Sequence, residues 1–173
     1  MHASVTLCFF VREQMKIEYL ADHQDVIPIL SDWFYREWSY LYPERTEEDF
    51  GKFISERVNK DKIPITLVAF EDDELVGTVC LKTHDMDNKP DLSPWLAGLY
   101  VKESWRKKGV GSTLVKAIEQ KAVELGINHL FLYTPESANF YSNLGWSVIK
   151  KENYHKVPVT IMEKNCSLTR ASS

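Results

Sequence analysis

The chain has 173 residues, of which 44% are hydrophobic and 27% charged, with a net charge of −4. That length suits one domain with a sizeable core and an ordinary globular composition. The mild acidity argues against a nucleic-acid partner, and no apolar run is long enough to suggest a membrane span.

Residues 1–14 contain the apolar run Val5–Val11 but neither a basic leader nor a small-residue cleavage site. They read as an N-terminal extension, or as a strand added at an edge, rather than a signal peptide. Met15–Tyr19 alternates as a first strand and opens a single domain expected over 15–166, with 167–173 a disordered tail. A helix is expected from Asp22 to about Tyr40, with Val26, Ile29, Leu30, Trp33 and Phe34 on one face and Tyr42-Pro43 as its stop. Thr46 caps a second helix with an acidic first turn, running to about Asn59. Ile65–Phe70 and Leu75–Leu81 alternate as strands about an Asp72-Asp73 turn.

His84–Asp91 is a polar loop with some likeness to a metal site. An EF-hand would need Asp or Asn where Lys89 stands, followed by Gly, and a D-x-D arises by chance, so no metal is expected. The loop is either simply solvated or presents Asp85 and Asp87 to a cationic amine. Pro94–Val101 is the next strand.

Arg106-Lys107-Lys108-Gly109-Val110-Gly111-Ser112 then runs three cations into two glycines just as a helix pattern begins. Strand, basic Gly-rich turn and helix N-terminus together make an anion site. Glycine lets the backbone approach the ligand, free N–H groups point outward, and the macrodipole favours negative charge. A Walker A loop lacks its spacing here, and a Rossmann fingerprint would need glycine where Leu114 stands. The helix should span Gly109–Leu125, with Val110, Leu114, Ile118, Ala122 and Leu125 as its apolar stripe. Lys116, Glu119, Gln120, Lys121 and Glu124 fall opposite, and Gly126 ends it. His129–Tyr133 is a strand. Thr134 is expected to cap a short helix with Pro135 at its first position and Gly145 at its end. Trp146–Tyr154 and Val157–Glu163 close as an antiparallel pair.

Arg106-x-x-Gly109-x-Gly111, followed thirty residues later by Tyr141 within Ala138-Asn139-Phe140-Tyr141-Ser142-Asn143-Leu144-Gly145-Trp146, resembles the GNAT superfamily of acetyl-CoA-dependent N-acetyltransferases. The resemblance spans roughly residues 65 to 164, and more weakly from 15. It implies an α+β fold in which a mixed, mostly antiparallel sheet carries helices on both faces. It also implies acetyl-CoA as co-substrate, with Arg106, Lys107, Lys108, Gly109, Val110, Gly111 and Ser112 at its diphosphate. By the same resemblance the strand ending Leu99-Tyr100-Val101 binds the pantetheine arm and thioester carbonyl. Many members carry Asn near the end of the following strand, where Thr134 stands here.

Tyr141 is the candidate donor to the departing thiolate. A phenol titrates near 10 and a thiol near 8.5, so the phenol keeps its proton at neutral pH. Glu136, His84, Asp85, Tyr133, His155 or a water chain are each open as the base for the amine. Tyr40 and Tyr42 are candidates for the acceptor wall. No G-x-S-x-G is present, which disfavours serine hydrolysis. Cys8, Cys80 and Cys166 are odd in number and far apart, without C-x-x-C. A disulfide framework or zinc site is disfavoured, and a reducing cytoplasm is the natural location. The expected activity is acetyl transfer to a primary amine of a small molecule or peptide, with a homodimer left open. The competing reading is a catalytically silent acyl-CoA-binding or sensory module on the same fold.

Overall fold

The computed structural model describes residues 15–167. The expectations for 1–14, including Cys8, and for the tail beyond Ser167 lie outside the described residues. The elements are β1 (Lys16–Tyr19), α1 (Ile27–Trp38), α2 (Glu47–Ser55), β2 (Ile65–Glu71), β3 (Glu74–Lys82), β4 (Trp95–Val101), α3 (Val110–Glu124), β5 (His129–Thr134), α4 (Ala138–Asn143), β6 (Ser147–Tyr154) and β7 (Val157–Asn165). The strands form one seven-stranded sheet in the order β1-β2-β3-β4-β5-β7-β6. Every neighbouring pair is antiparallel except β4 with β5.

Period-two alternation sends side chains to opposite faces and gives the sheet two cores. Ile65, Leu67 and Ala69 of β2 and Leu130 and Leu132 of β5 pack with Leu114, Ile118 and Ala122 of α3. Val68, Trp95 and Phe131 pack on the other face with Leu30 and Phe34 of α1 and Phe50 and Ile54 of α2. No described helix is long and apolar enough to cross a membrane.

Several boundaries differ from expectation. The first helix begins at Ile27, not Asp22, because Pro28 occupies its first turn, and the residues before it form 3₁₀ turns. It ends at Trp38 in another 3₁₀ turn, Ser39–Leu41. Ile29 is 46% exposed and does not belong to the buried stripe. The second helix has the expected Thr46 cap, in a capping box with Asp49, but stops at Ser55 because Val58 bridges to Ile65. Asp72 and Asp73, with φ of 47° and 64°, make the tight hairpin turn. The α3 stripe is buried at Val110, Leu114, Ile118 and Ala122, while Leu125 is half-buried and, like Gly109, just outside the helix. Gly126 (φ 78°) donates to Val123 O and Ile127 N–H to Ala122 O, a Schellman stop. Glu119, however, is not on the solvent face. Its carboxylate accepts from Trp146 Nε1 at 2.9 Å and from Lys164 Nζ at 3.0 and 2.9 Å.

Candidate active site

The site originates in the middle of β4. Beyond Trp95↔Phe131 the β4–β5 ladder does not continue, while β5 stays paired with β7 through Thr134. Against β3 the register shifts between Thr78 and Cys80, so Gly98 and Leu99 both fall opposite Val79. This bulge bends β4 away from β5. Glycine is needed twice over: φ at Gly98 is 60°, and a Cβ there would lie 3.3 Å from the Phe34 ring. The divergence leaves a cleft of about 200 Å³ flanked by Ala97, Gly98 and Leu99 on one strand and Leu132, Tyr133 and Thr134 on the other. Leu132 belongs to the α3-side core and Tyr133 to the α1/α2-side core, so the cleft reaches through the sheet.

Tyr141 lines this cleft. It sits on the single long turn of α4, and its carbonyl accepts the N–H groups of both Leu144 and Trp146, at 2.9 and 3.1 Å, as Gly145 (φ 89°) reverses the chain. Phe140 and Trp146 pack edge-on against its ring. Burial pushes the phenol's pKa above its ordinary value, so it holds its proton more firmly than free tyrosine does. Thr134 does not cap α4. It is the last residue of β5, and its hydroxyl accepts the Ser137 N–H at 3.0 Å, which fixes the strand-to-helix turn. Pro135 accordingly precedes the helix, whose first residue is Ala138.

The basic loop joins β4 to α3. Gly109 (φ 85°) is the residue before the helix, no side chain caps it, and a Cβ there would meet nothing within 4 Å. Its carbonyl accepts from Thr113 N–H (3.1 Å), Thr113 Oγ1 (2.8 Å) and Ser112 Oγ (3.1 Å). The N–H groups of Val110, Gly111 and Ser112 precede the first intrahelical donor and are left for a ligand. Gly111 fits between Val101 and Phe140, where a Cβ would approach them to 3.6 and 3.3 Å. The first turn of α3 thus touches both β4 and the neighbour of Tyr141. Arg106 donates from Nε to Val101 O at 2.9 Å and lies 5.4 Å from the Tyr100 ring centroid. Tyr100 in turn packs on Trp33 at 5.0 Å, so its side chain belongs to the α1 face and does not line the cleft. Lys107 adopts φ 60°, and Lys108 sits over the Trp105 ring at 4.9 Å.

Of the residues expected at an acceptor, Tyr40, Tyr42 and Asp85 line the cleft, but Asp87 does not. The Asp87 N–H donates to the Tyr154 hydroxyl at 3.3 Å, which anchors the loop by its backbone, and Met86 beside it is buried. The loop is therefore packed down rather than wholly solvated. Asp85 is no free carboxylate, since Lys82 Nζ lies 2.7 Å away in a largely buried pair. Tyr42 is buried, with its hydroxyl 3.0 Å from that of Tyr133. Burial raises the pKa of both phenols. Glu136 and Tyr133 line the cleft and His84 and His155 do not, although His155 stacks on Tyr42 at 5.2 Å. Sequence reasoning missed Gly98, Glu37, Arg45 and Arg57. The glycine left one trace, an isolated Gly inside an apolar strand, the usual mark of a bulge.

A family model described as the acetyltransferase (GNAT) family matches residues 27–146. No curated protein sequence matches the chain. Among solved structures, an aminoglycoside 6'-N-acetyltransferase complexed with coenzyme A is similar with a TM-score of 0.70 and 20% identity over 91% of this chain and 99% of its own. The aminoglycoside 6'-N-acetyltransferase from Enterococcus faecium is similar with a TM-score of 0.67 and 20% identity, covering 91% of this chain and 99% of its own. Ard1 from Thermoplasma volcanium is similar with a TM-score of 0.63 and 16% identity, over 88% of this chain and 98% of its own.

Proposed function

The chain belongs to the acetyltransferase (GNAT) family and is an acyltransferase, and from that premise we propose that it moves the acetyl group of acetyl-CoA onto a primary amine by direct attack. The observation that carries this reading is the meeting of three features at one place. The diverging edge of β4, Tyr141 and the uncapped first turn of α3 adjoin through the contacts of Gly111 with Val101 and Phe140.

The residues fit a coenzyme A ligand on chemical grounds. The free N–H groups at the start of α3, the open space over Gly109 and the cations of Arg106, Lys107 and Lys108 suit a diphosphate. Bound acetyl-CoA would supply the activated acetyl thioester. Those backbone N–H groups of β4 beyond Trp95 that face β5 rather than β3 would stabilise an oxyanion, a donor type whose loss costs about 3 kcal/mol in other enzymes. Tyr141 would donate to the leaving sulfur. Because burial raises its pKa, full proton transfer to a thiolate runs uphill, so its contribution is chiefly a hydrogen bond that holds the charge until solvent supplies the proton. Glu136, Asp85 or water within the cleft would take the amine's proton.

Two buried free thiols, Cys80 and Cys166, support a reducing, cytoplasmic setting. Two measurements test the proposal together. Calorimetric titration with coenzyme A should show saturable binding, and thiol release from acetyl-CoA over a panel of amines should show turnover. Absence of both refutes the reading. Binding without turnover on any amine would favour a silent acyl-CoA-binding module instead.

A further inference from the structure

The cleft carries side chains of both charges in its lining. Lys82 and Asp85 neutralise one another at 2.7 Å. On the wall made by α1 and the segment after β5, Glu37 and Glu136 both line the cleft beside Tyr40, and no cation pairs with either among the described residues. Burial, then Glu136 and Glu37, raise the pKa of the Tyr40 phenol.

The segments on either side of α2 bring the opposite sign. Arg45 lies over the rings of Tyr42 and Phe53, at 4.0 and 4.8 Å. Arg57 stands two residues past the end of α2 and lines the same cleft. Arg45 has only Glu44 at 3.8 Å, itself 65% exposed, and the carboxylate of Asp49 within its field. Arg57 pairs with no carboxylate among the described residues, yet it lines the cleft. A guanidinium without a carboxylate partner at the lining of a cleft is a ready fork for a carboxylate.

Building on the acetyltransferase reading, we propose that the acceptor is a small amino-carboxylate, its amine held at Glu37 and Glu136 and its carboxylate at Arg57 with Arg45. A polycation would have to set positive charge against both arginines, and a neutral amine would leave them unused. The whole cleft, including the part beside Tyr141 and residues 97–99, measures about 200 Å³, below the usual range for drug-sized ligands, which favours a small acceptor. The two pairs of charged residues come from different segments of the chain, and a series of ω-amino acids varies the spacing between amine and carboxylate that they would span.

The test is an initial-rate series with acetyl-CoA and ω-amino acids from glycine to 6-aminohexanoate, each as acid and as amide, with spermidine beside them. At least one acid longer than glycine should exceed its own amide by roughly 10-fold or more in kcat/KM, the scale of one charge-assisted pair. Arg57→Gln should close that gap through KM for the acid, leaving the amide and the KM for acetyl-CoA unchanged, and Arg57→Lys should restore part of it. Preference for amides or spermidine over every acid overturns the proposal, as does an equal loss for acid and amide in Arg57→Gln. The same ligands are titrated calorimetrically into the protein with and without coenzyme A. If no amine is turned over, acid-selective binding that is lost in Arg57→Gln still supports the acceptor assignment while the transferase reading fails. Binding without acid preference overturns it.

Discussion

A phenol as buried as that of Tyr141 is a poor acid and a good hydrogen-bond donor, and this difference is measurable. Tyr141→Phe keeps the ring packing against Phe140 and Trp146 and removes only the hydroxyl. We expect kcat to fall 10- to 1,000-fold, the order of one acid–base group, with the KM for acetyl-CoA nearly constant. Steady-state rates on the best amine check this; an unchanged kcat would make Tyr141 a packing residue alone. Tyr141 was legible in the sequence because its neighbours are local: Phe140, Leu144, Gly145 and Trp146 all lie within five positions. Arg57 was not, because a lone Arg after a helix acquires meaning only from the cleft that distant segments build around it. Asp87 shows the converse. Its side-chain chemistry suggested a role, but its backbone is what the fold uses.

At the scale of elements, α3 shows what periodicity can and cannot give. Its buried stripe and Schellman stop depend on residues inside the helix, and both were readable. Glu119 was read as solvent-facing because its partners lie 27 and 45 residues downstream. Lys164 bridges three places at once: both oxygens of Glu119 and the Leu144 carbonyl at 2.7 Å, where α4 ends. Removing it leaves a largely buried carboxylate with only the Trp146 indole as donor. Lys164→Met should therefore cost about 3 kcal/mol of folding stability, at the lower end for broken buried pairs because Lys164 keeps some solvent contact. The double change Glu119→Gln with Lys164→Met should recover much of that loss. Urea unfolding of the four variants measures the coupling. The early start expected for α1 had a different cause, a proline within the first turn whose helix-starting meaning was overlooked.

For the whole molecule, the acceptor end holds a cluster of phenols that resist ionisation. Burial is the leading cause at Tyr42, Tyr133 and Tyr154, as it is at Tyr141. Their folded pKa values lie above the unfolded value near 10. Below pH 10 both states keep these protons and stability is intact. Above it the unfolded chain sheds them first, and each lagging tyrosine removes up to about 1.4 kcal/mol per pH unit. The thermal midpoint should thus drop steeply above pH 10, and Tyr133→Phe should soften the drop; a flat profile to pH 11 would show that these hydroxyls reach water. Helices on both faces of the sheet were expected from family likeness, which also pointed to the strand ending Leu99-Tyr100-Val101, whereas the gap between β4 and β5 has its physical origin in one glycine's backbone. That gap also bears on kinetic order. A slot lined from both faces of a sheet lets one reactant arrive from the α3 side and the other from the α1/α2 side. Neither has to leave before the other comes in. Double-reciprocal plots at several fixed concentrations of the second reactant should therefore intersect, and parallel lines, the mark of a covalent relay, should not be seen.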